Sequence, residues 1–403
     1  MLYDAPIIGG LGRELNRAAP RPPGESAGSA ARAGFLGASI LSRPLVVLLN
    51  FGGPRGPEEV EAFLFEILRD PNTIQLPVPP AIQELLARRI AGRRAPETRR
   101  QYGEIGGRSP IVEDSERIAQ ALGRALEAAG AATPVRVAHR YLPGWSAGLA
   151  REIAAEGFDT LFALPLYPHF SFATTGSSLE QLARALDGAG WRGEIRALRS
   201  YPDDPEYLDA LAARLHTCLE AGGLEPEGTV ILCSAHGLPA SYVARGDPYR
   251  LELYRTLEGL RERFAGWRID LSFQSRVGPM EWLRPYTDEY VPVLAEQGLR
   301  DLVFVPISFV NDHIETLYEI GVTYFALARR HGLRPHLAAA VSDHPAHVRA
   351  LAGAVRRWRA GRGGVPLAEL LPPSQDFARR GVWVWSAWGA ALLTALVHAL
   401  CGG

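Results

Sequence analysis

Lysine is absent from this 403-residue chain, so all 43 of its basic side chains are arginine, set against 44 acidic ones. Without lysine there is no Schiff base to a carbonyl substrate, no anchor for pyridoxal phosphate and no lysine of a phosphate-binding loop. Cysteine is nearly absent too. Cys218, Cys233 and Cys401 are too few for a four-thiolate zinc or iron–sulfur site. Their spacing gives no disulfide framework, which suits a reducing compartment. Neither charge is in excess, and a net charge of −1 argues against a nucleic-acid binder, which would show a strongly basic balance. The N-terminus lacks the basic start and apolar run of a secretory signal.

What is present is an ordinary globular composition, 47% apolar and 22% charged, long enough for two or three domains. Residues 1–44 are rich in Ala, Gly, Pro and Arg without a sustained period, and read as a flexible extension. Their arginines suit a transit peptide, while Asp4, Glu14 and Glu25 count against one.

From residue 45 short β-branched runs alternate with helical stretches. The runs fall at 45–50, 135–142, 160–167, 194–201, 229–235, 268–275, 301–309 and 334–341. Continuous apolar runs without alternation suit strands covered on both faces. The fold class is therefore α/β: two Rossmann-like domains, 45–205 and 206–360, each a four-stranded parallel sheet flanked by helices. A linker at 361–381 precedes VWVWSAWGAALLTALVHAL (382–400), 19 residues without a formal charge. That is close to the ~20 residues that span a bilayer. Arg379 and Arg380 before it, and Trp383, Trp385 and Trp388 at its start, fit a membrane anchor with a cytoplasmic N-side. The alternative is a buried C-terminal helix or a dimer contact.

Ligands of doubly wound folds sit beyond the carboxyl ends of the strands. Here those ends carry Asn50-Phe51-Gly52-Gly53, His139-Arg140-Tyr141, Tyr167-Pro168-His169, Tyr201, Ser234-Ala235-His236-Gly237, Gln274-Ser275-Arg276 and Phe309. Aromatic and cationic groups suit a large, flat, partly anionic ligand better than a nucleotide. The glycine pair at 52–53 is no GxGxxG, and a tight strand-to-helix turn accounts for it equally well. His236 beside a glycine faces either a cleft or a packed boundary. Along 311–319, Asp312, Glu315 and Glu319 fall at i, i+3 and i+7, so a helix would put three carboxylates on one face. Such a face is either solvated or a path for a divalent cation.

Taken together these segments resemble the ferrochelatases. The motifs that carry the resemblance are LLNFGGP (48–54), YGEIGGRSPI (102–111), HRYLPG (139–144) and LPLYPHFSFATTGSS (164–178). ILCSAHGLP (231–239), RGDPY (245–249), SFQSRVGPMEWLRPYTDE (272–289) and VPISFVNDHIETLYEIG (305–321) follow in the family's order. The resemblance implies a lyase that inserts Fe2+ into protoporphyrin IX, with a porphyrin cleft between two Rossmann-like domains. It assigns His236 and Glu315 to catalysis and metal contact across the macrocycle, with Asp312 and Glu319 as a metal or proton conduit. A neutral imidazole suits removal of pyrrole protons near pH 7. Glu315 either takes a proton or hands on the cation. His313 lies roughly 100° from the carboxylate face of an α-helix and reads as structural or as a supporting residue.

The resemblance further implies a porphyrin wall of Phe51, Tyr102, Tyr201, Trp282 and Phe309. Arg94 and Ser109 match positions that meet the propionates, and Arg140-Tyr141 match an inner-cleft pair. It implies a ring bent out of plane to expose its nitrogen lone pairs. Fe2+ is a substrate, no cofactor is bound permanently, and three cysteines leave no place for the 2Fe–2S cluster of animal members. SFATTGSS (171–178) resembles the protoporphyrin-using branch more than the coproporphyrin-using one. A coproporphyrin III enzyme and a non-catalytic porphyrin or haem carrier are the alternatives. The expected setting is the cytoplasmic face of the inner membrane, with 382–400 in contact with lipid.

Overall fold

The computed structural model describes residues 43–71, 73, 78–276 and 280–371. Residues 1–42 of the extension expected over 1–44, the apolar segment 382–400 and Cys401 lie outside the described residues, while Pro44 already belongs to the first strand. Among the described residues no helix is long and apolar enough to cross a membrane.

All eight expected strands form, each starting within a residue of its expected place and several ending three or four residues short of it. They are β1 (Pro44–Asn50), β2 (Val135–His139), β3 (Thr160–Pro165), β4 (Glu194–Ala197), β5 (Thr229–His236), β6 (Arg268–Gln274), β7 (Asp301–Pro306) and β8 (Arg334–Leu337). The first sheet runs β2-β1-β3-β4 and the second β6-β5-β7-β8, all parallel within these groups. Both halves thus order their strands second, first, third, fourth. One architecture is used twice without a residue-level repeat. Leu45 to Leu49 in β1 and Val230 to Cys233 in β5 are wholly buried, as central strands covered by helices on both faces must be.

The first sheet differs from expectation by a fifth strand. β9 (Val365–Pro366) pairs antiparallel with Arg196 and Ala197 at the β4 edge. Two residues, one of them proline, carry no readable period, so this stretch passed as linker. A short helix, Leu367–Leu370, follows it. The helix Pro345–Arg359 also returns to the first half, where Trp358 stacks on Phe162 of β3 with centroids 5.0 Å apart. The largest apolar core is shared accordingly: Val46 and Leu48 of β1 belong to the same cluster as Ile231 of β5 and Val303 of β7.

The order of both sheets reverses direction beside the first strand of each half. The carboxyl ends flanking these points are where an open α/β sheet leaves a crevice. Asn50, His236 and the segment after Pro306 all stand there. The two ends are tied: Asn50 Nδ2 donates to Asn311 Oδ1 and to Ser115 Oγ, each at 2.8 Å.

Candidate active site

His236 closes β5, and its ring is oriented by its neighbour. Nδ1 lies 2.6 Å from the Gly237 carbonyl. A carbonyl can only accept, so Nδ1 carries a proton, and Nε2 is the ring position at which a second proton is gained or given up. That Nε2 is 3.6 Å from Glu315 Oε1. Gly237 has no room for a side chain: a Cβ would stand 2.8 Å from the Gln274 carbonyl and 3.0 Å from the Trp282 indole. Trp282 therefore lies against the residue that orients His236.

Glu315 opens a helix wound with i→i+5 bonding over Glu315–Tyr324. Such winding is rare and recurs at functional sites. It corrects the expected α-helical ladder of Asp312, Glu315 and Glu319. Asp312 lies before the helix, in the turn, where its carboxylate accepts from Thr316 Oγ1 at 2.9 Å. Glu319 is held by three donors: Ser275 N–H at 2.9 Å, the Ser275 hydroxyl, and the Tyr324 hydroxyl at 2.9 Å. Burial, and then the neighbouring Glu315 charge, raise the Glu319 pKa above the usual carboxylate value.

His313 is the residue that helical-wheel reasoning placed wrongly. It too precedes the helix, so α-helical rotation does not apply to it. Its ring is 5% exposed, and Nε2 approaches Glu315 Oε2 to 3.6 Å. Glu315 thus has an imidazole facing each of its oxygens. Burial pushes the Glu315 carboxyl up, but His236, then His313, together outweigh it and hold the group at about 2. The arrangement is an ionised carboxylate between two rings that can each take a proton. Among the described residues no three His, Cys, Asp or Glu side chains converge as a ready-made metal cage. Of the four residues expected to meet the metal, His236 and Glu315 approach each other directly, while Asp312 and Glu319 are held by hydroxyl and backbone donors.

Phe309 joins the two halves. Its ring lies 4.4 Å from His313 and 6.5 Å from His236 on one side, and 6.2 Å from Phe51 and 5.9 Å from Tyr167 on the other. Phe51 in turn meets Tyr141 at 4.6 Å. Tyr102 is buried at the end of the helix Pro80–Glu104 and packs near Ile314. Ser109 sits on Gly53, where a Cβ would come within 2.5 Å of the serine Cβ. The glycine pair is therefore a steric seat for the Ser109 loop.

Two of the expected porphyrin contacts have partners inside the protein. Arg140 is only 7% exposed and is already committed, through Nε to the Tyr141 hydroxyl at 2.9 Å and through its other nitrogens to the Ser177 carbonyl and the Asp70 carboxylate. Tyr141 also donates to Asp70 at 2.6 Å. This pair forms an internal network beneath the wall and is not a free grip for a carboxylate. Tyr201 packs against Tyr207 at 5.4 Å and His347 at 6.1 Å in the shared core, and none of its ring contacts reaches Phe309 or His236. Arg94, by contrast, is exposed on the helix Pro80–Glu104, with no ion pair or hydrogen bond among the described residues.

A family model described as Ferrochelatase matches residues 45–358, which takes in the eight parallel strands almost whole and every residue of this cluster. The chain belongs to the ferrochelatase family. Among its curated relatives, the ferrochelatase of Synechococcus sp. (strain JA-3-3Ab) is 43% identical over 298 residues, covering 73% of this chain and 87% of that one. The ferrochelatase of Geotalea uraniireducens (strain Rf4) is 41% identical over 288 residues, covering 72% and 89%. That of Synechococcus sp. (strain RCC307) is 36% identical over 353 residues, covering 86% and 90%. Among solved structures, SirB from Bacillus subtilis with Fe3+ aligns over 78% of this chain and 95% of its own, at 12% identity and a TM-score of 0.47.

Within this ferrochelatase-family cleft, His236, Phe51 and Phe309 come together as ring neighbours; His236 and Glu315, expected to face each other across the macrocycle, instead lie side by side, 3.6 Å apart, too close for a ring between them. The sequence motifs did not reveal that Asn50 ties the two strand ends through Asn311. Asn50 and Asn311 had one usable signal, an amide at or just after the end of an otherwise apolar strand.

Proposed function

We propose that this enzyme, a lyase that inserts metal into porphyrin for haem synthesis, takes Fe2+ and protoporphyrin IX and forms protohaem. The observation that carries the reading is the His236–Glu315–His313 array at the strand ends, facing an aromatic wall built from both halves. Insertion replaces two pyrrole N–H protons by one divalent cation, so two protons must leave as the metal sheds its water. His236 Nε2, the ring nitrogen that faces away from the Gly237 carbonyl, is the position that takes one. Glu315, ionised between two imidazoles, provides the negative charge that draws the cation and relays the second proton. Glu319 and Asp312 extend the path on which metal or proton moves. Phe309, Phe51 and Trp282 supply apolar surface that keeps the macrocycle fixed and dry, and Arg94 and Ser109 meet its propionates. No permanently bound cofactor enters this scheme.

The test is loss of free-base fluorescence as metal is inserted, in anaerobic detergent solution. His236→Ala and Glu315→Gln should each lower turnover by at least about 10²-fold, the scale of a lost acid–base group. Full turnover in both variants refutes the assignment. Offering protoporphyrin IX and coproporphyrin III in parallel separates the two enzymes: a higher kcat/KM for coproporphyrin overturns the choice of substrate. Tight porphyrin binding without insertion identifies a carrier.

We also propose that 382–400 anchors the enzyme to the cytoplasmic face of the inner membrane. Deleting 380–403 should move the protein from the membrane pellet to the supernatant with its turnover intact. A truncated chain that stays in the pellet refutes the anchor.

A further inference from the structure

The backbone of His236 is held on both sides. Its N–H donates to Ser308 Oγ at 2.9 Å, and its carbonyl accepts from the Tyr249 hydroxyl at 3.0 Å. Tyr249 Oη and Ser308 Oγ are 2.7 Å apart. Since the carbonyl can only accept, Tyr249 gives its proton to His236, and the Ser308 hydroxyl donates to Tyr249. The bonds close a ring around the residue that carries the base. Closed rings of this kind leave little freedom to any member.

Tyr249 is seated in turn by Asp247, whose Oδ1 accepts the Tyr249 N–H at 3.0 Å. The second oxygen of the same carboxylate crosses to the N-terminal half. Oδ2 accepts from the Ser171 hydroxyl and the Phe172 N–H, both at 2.8 Å. These residues begin the wide turn Phe172–Gly176, and the next residue, Ser177, gives its carbonyl to Arg140. Asp247 is 3% exposed. A second buried acid, Glu252, binds the same two halves: Oε2 accepts from Phe170 N–H at 2.6 Å and Oε1 from the Ser200 hydroxyl at 3.1 Å. Among the described residues none of its bonds leads to the ring around His236, which makes it an internal control.

We propose that Asp247 is a positioning residue for metal insertion, one buried carboxylate that fixes the seat of His236 through Tyr249 and the opposing cleft turn through Ser171 and Phe172. The assignment rests on His236 being the proton acceptor. A carboxylate is required because it meets donors on both oxygens. An amide has one acceptor oxygen, and its nitrogen would face Tyr249 N–H or Phe172 N–H, donor against donor.

The experiment measures kcat, porphyrin binding and thermal midpoint for Asp247→Asn, Tyr249→Phe, their double variant, Glu252→Gln and His236→Ala in the full chain. Asp247→Asn and Tyr249→Phe should each lower kcat at least about tenfold, the effect of a base displaced by a fraction of an ångström. The double variant should lose no more than the worse single one, because both act through one seat. Glu252→Gln should lower the midpoint and leave kcat unchanged. Wild-type kcat in Asp247→Asn or Tyr249→Phe overturns the proposal, as does an equal loss of kcat in Glu252→Gln. Should Asp247→Asn fail to fold, Tyr249→Phe decides alone. Full turnover in His236→Ala is a separate outcome, which removes the underlying reading of the base.

Discussion

Asn50 offers the sharpest test of how the two halves are held at the cleft. It is 1% exposed, as is Asn311, 261 residues away. Its amide nitrogen donates to Asn311 Oδ1 and Ser115 Oγ, and its oxygen accepts the Phe51 N–H, all at 2.8 Å. Asn50→Ala strips the partner from two buried groups, the Phe51 N–H and the Asn311 carbonyl oxygen. Each orphan costs about 1–3 kcal/mol, so the loss should be roughly 2–6 kcal/mol, with the vacated volume adding to it. Asn50→Asp separates hydrogen bonding from volume. It fills the same space but sets a carboxylate against the Asn311 oxygen, and should be as damaging as alanine at neutral pH.

The aspartate also makes the effect titratable. In the fold its neutral form is favoured, because a protonated oxygen restores one donor, so its folded pKa is raised. The penalty relative to wild type is therefore smallest at and below the ordinary carboxylate pKa, grows as pH rises from there to the raised folded value, and is constant above it. The assay is equilibrium urea unfolding of both variants against wild type between pH 4 and 8, with turnover measured alongside. A loss below about 0.5 kcal/mol in Asn50→Ala, the scale of an ordinary surface substitution, refutes the tie. So does an Asn50→Asp penalty that does not change with pH.

Further expectations follow from the same geometry. Gly237→Ala places a methyl 2.8 Å from the Gln274 carbonyl and 3.0 Å from the Trp282 ring; it should cost about 1–3 kcal/mol of stability and lower kcat by disturbing the Gly237 carbonyl that orients His236, so an unchanged midpoint refutes it. Glu315 is held at about 2 against an ordinary 4.5. Its ionised form is bound more tightly folded than unfolded, a contribution complete above pH 4.5 and lost as pH falls toward 2. Glu315→Gln should flatten the acid limb of stability over that window, and an acid limb identical to wild type contradicts the two-imidazole setting. Phe309→Ala removes the ring shared by His313, His236, Phe51 and Tyr167 and should weaken porphyrin binding measured by fluorescence quenching; unchanged affinity refutes its place in the wall.

The chain's local chemistry determined a good deal unaided. Continuous apolar runs located all eight parallel strands, because a strand covered on both faces leaves that mark in the residues themselves. The strand-end residues and motifs pointed to His236, Glu315, Phe51 and Phe309, since side chains at carboxyl ends enter the crevice wherever the topology places it. The absence of lysine excluded lysine chemistry and has no further counterpart in the site, whose charged residues are carboxylates, histidines and arginines. Tertiary structure decided the rest. The i→i+5 winding moved Asp312 out of the helix and turned His313 toward Glu315, and hydrogen bonding of that kind is not encoded in apolar period. Arg140 spends its guanidinium on Asp70 and Ser177, Tyr201 goes to the shared core, and Asp247 joins His236 to a turn 75 residues earlier. Each of these depends on partners distant in sequence. A residue's type limits which bonds it can make, and only the packing of the two halves determines which of them it does make.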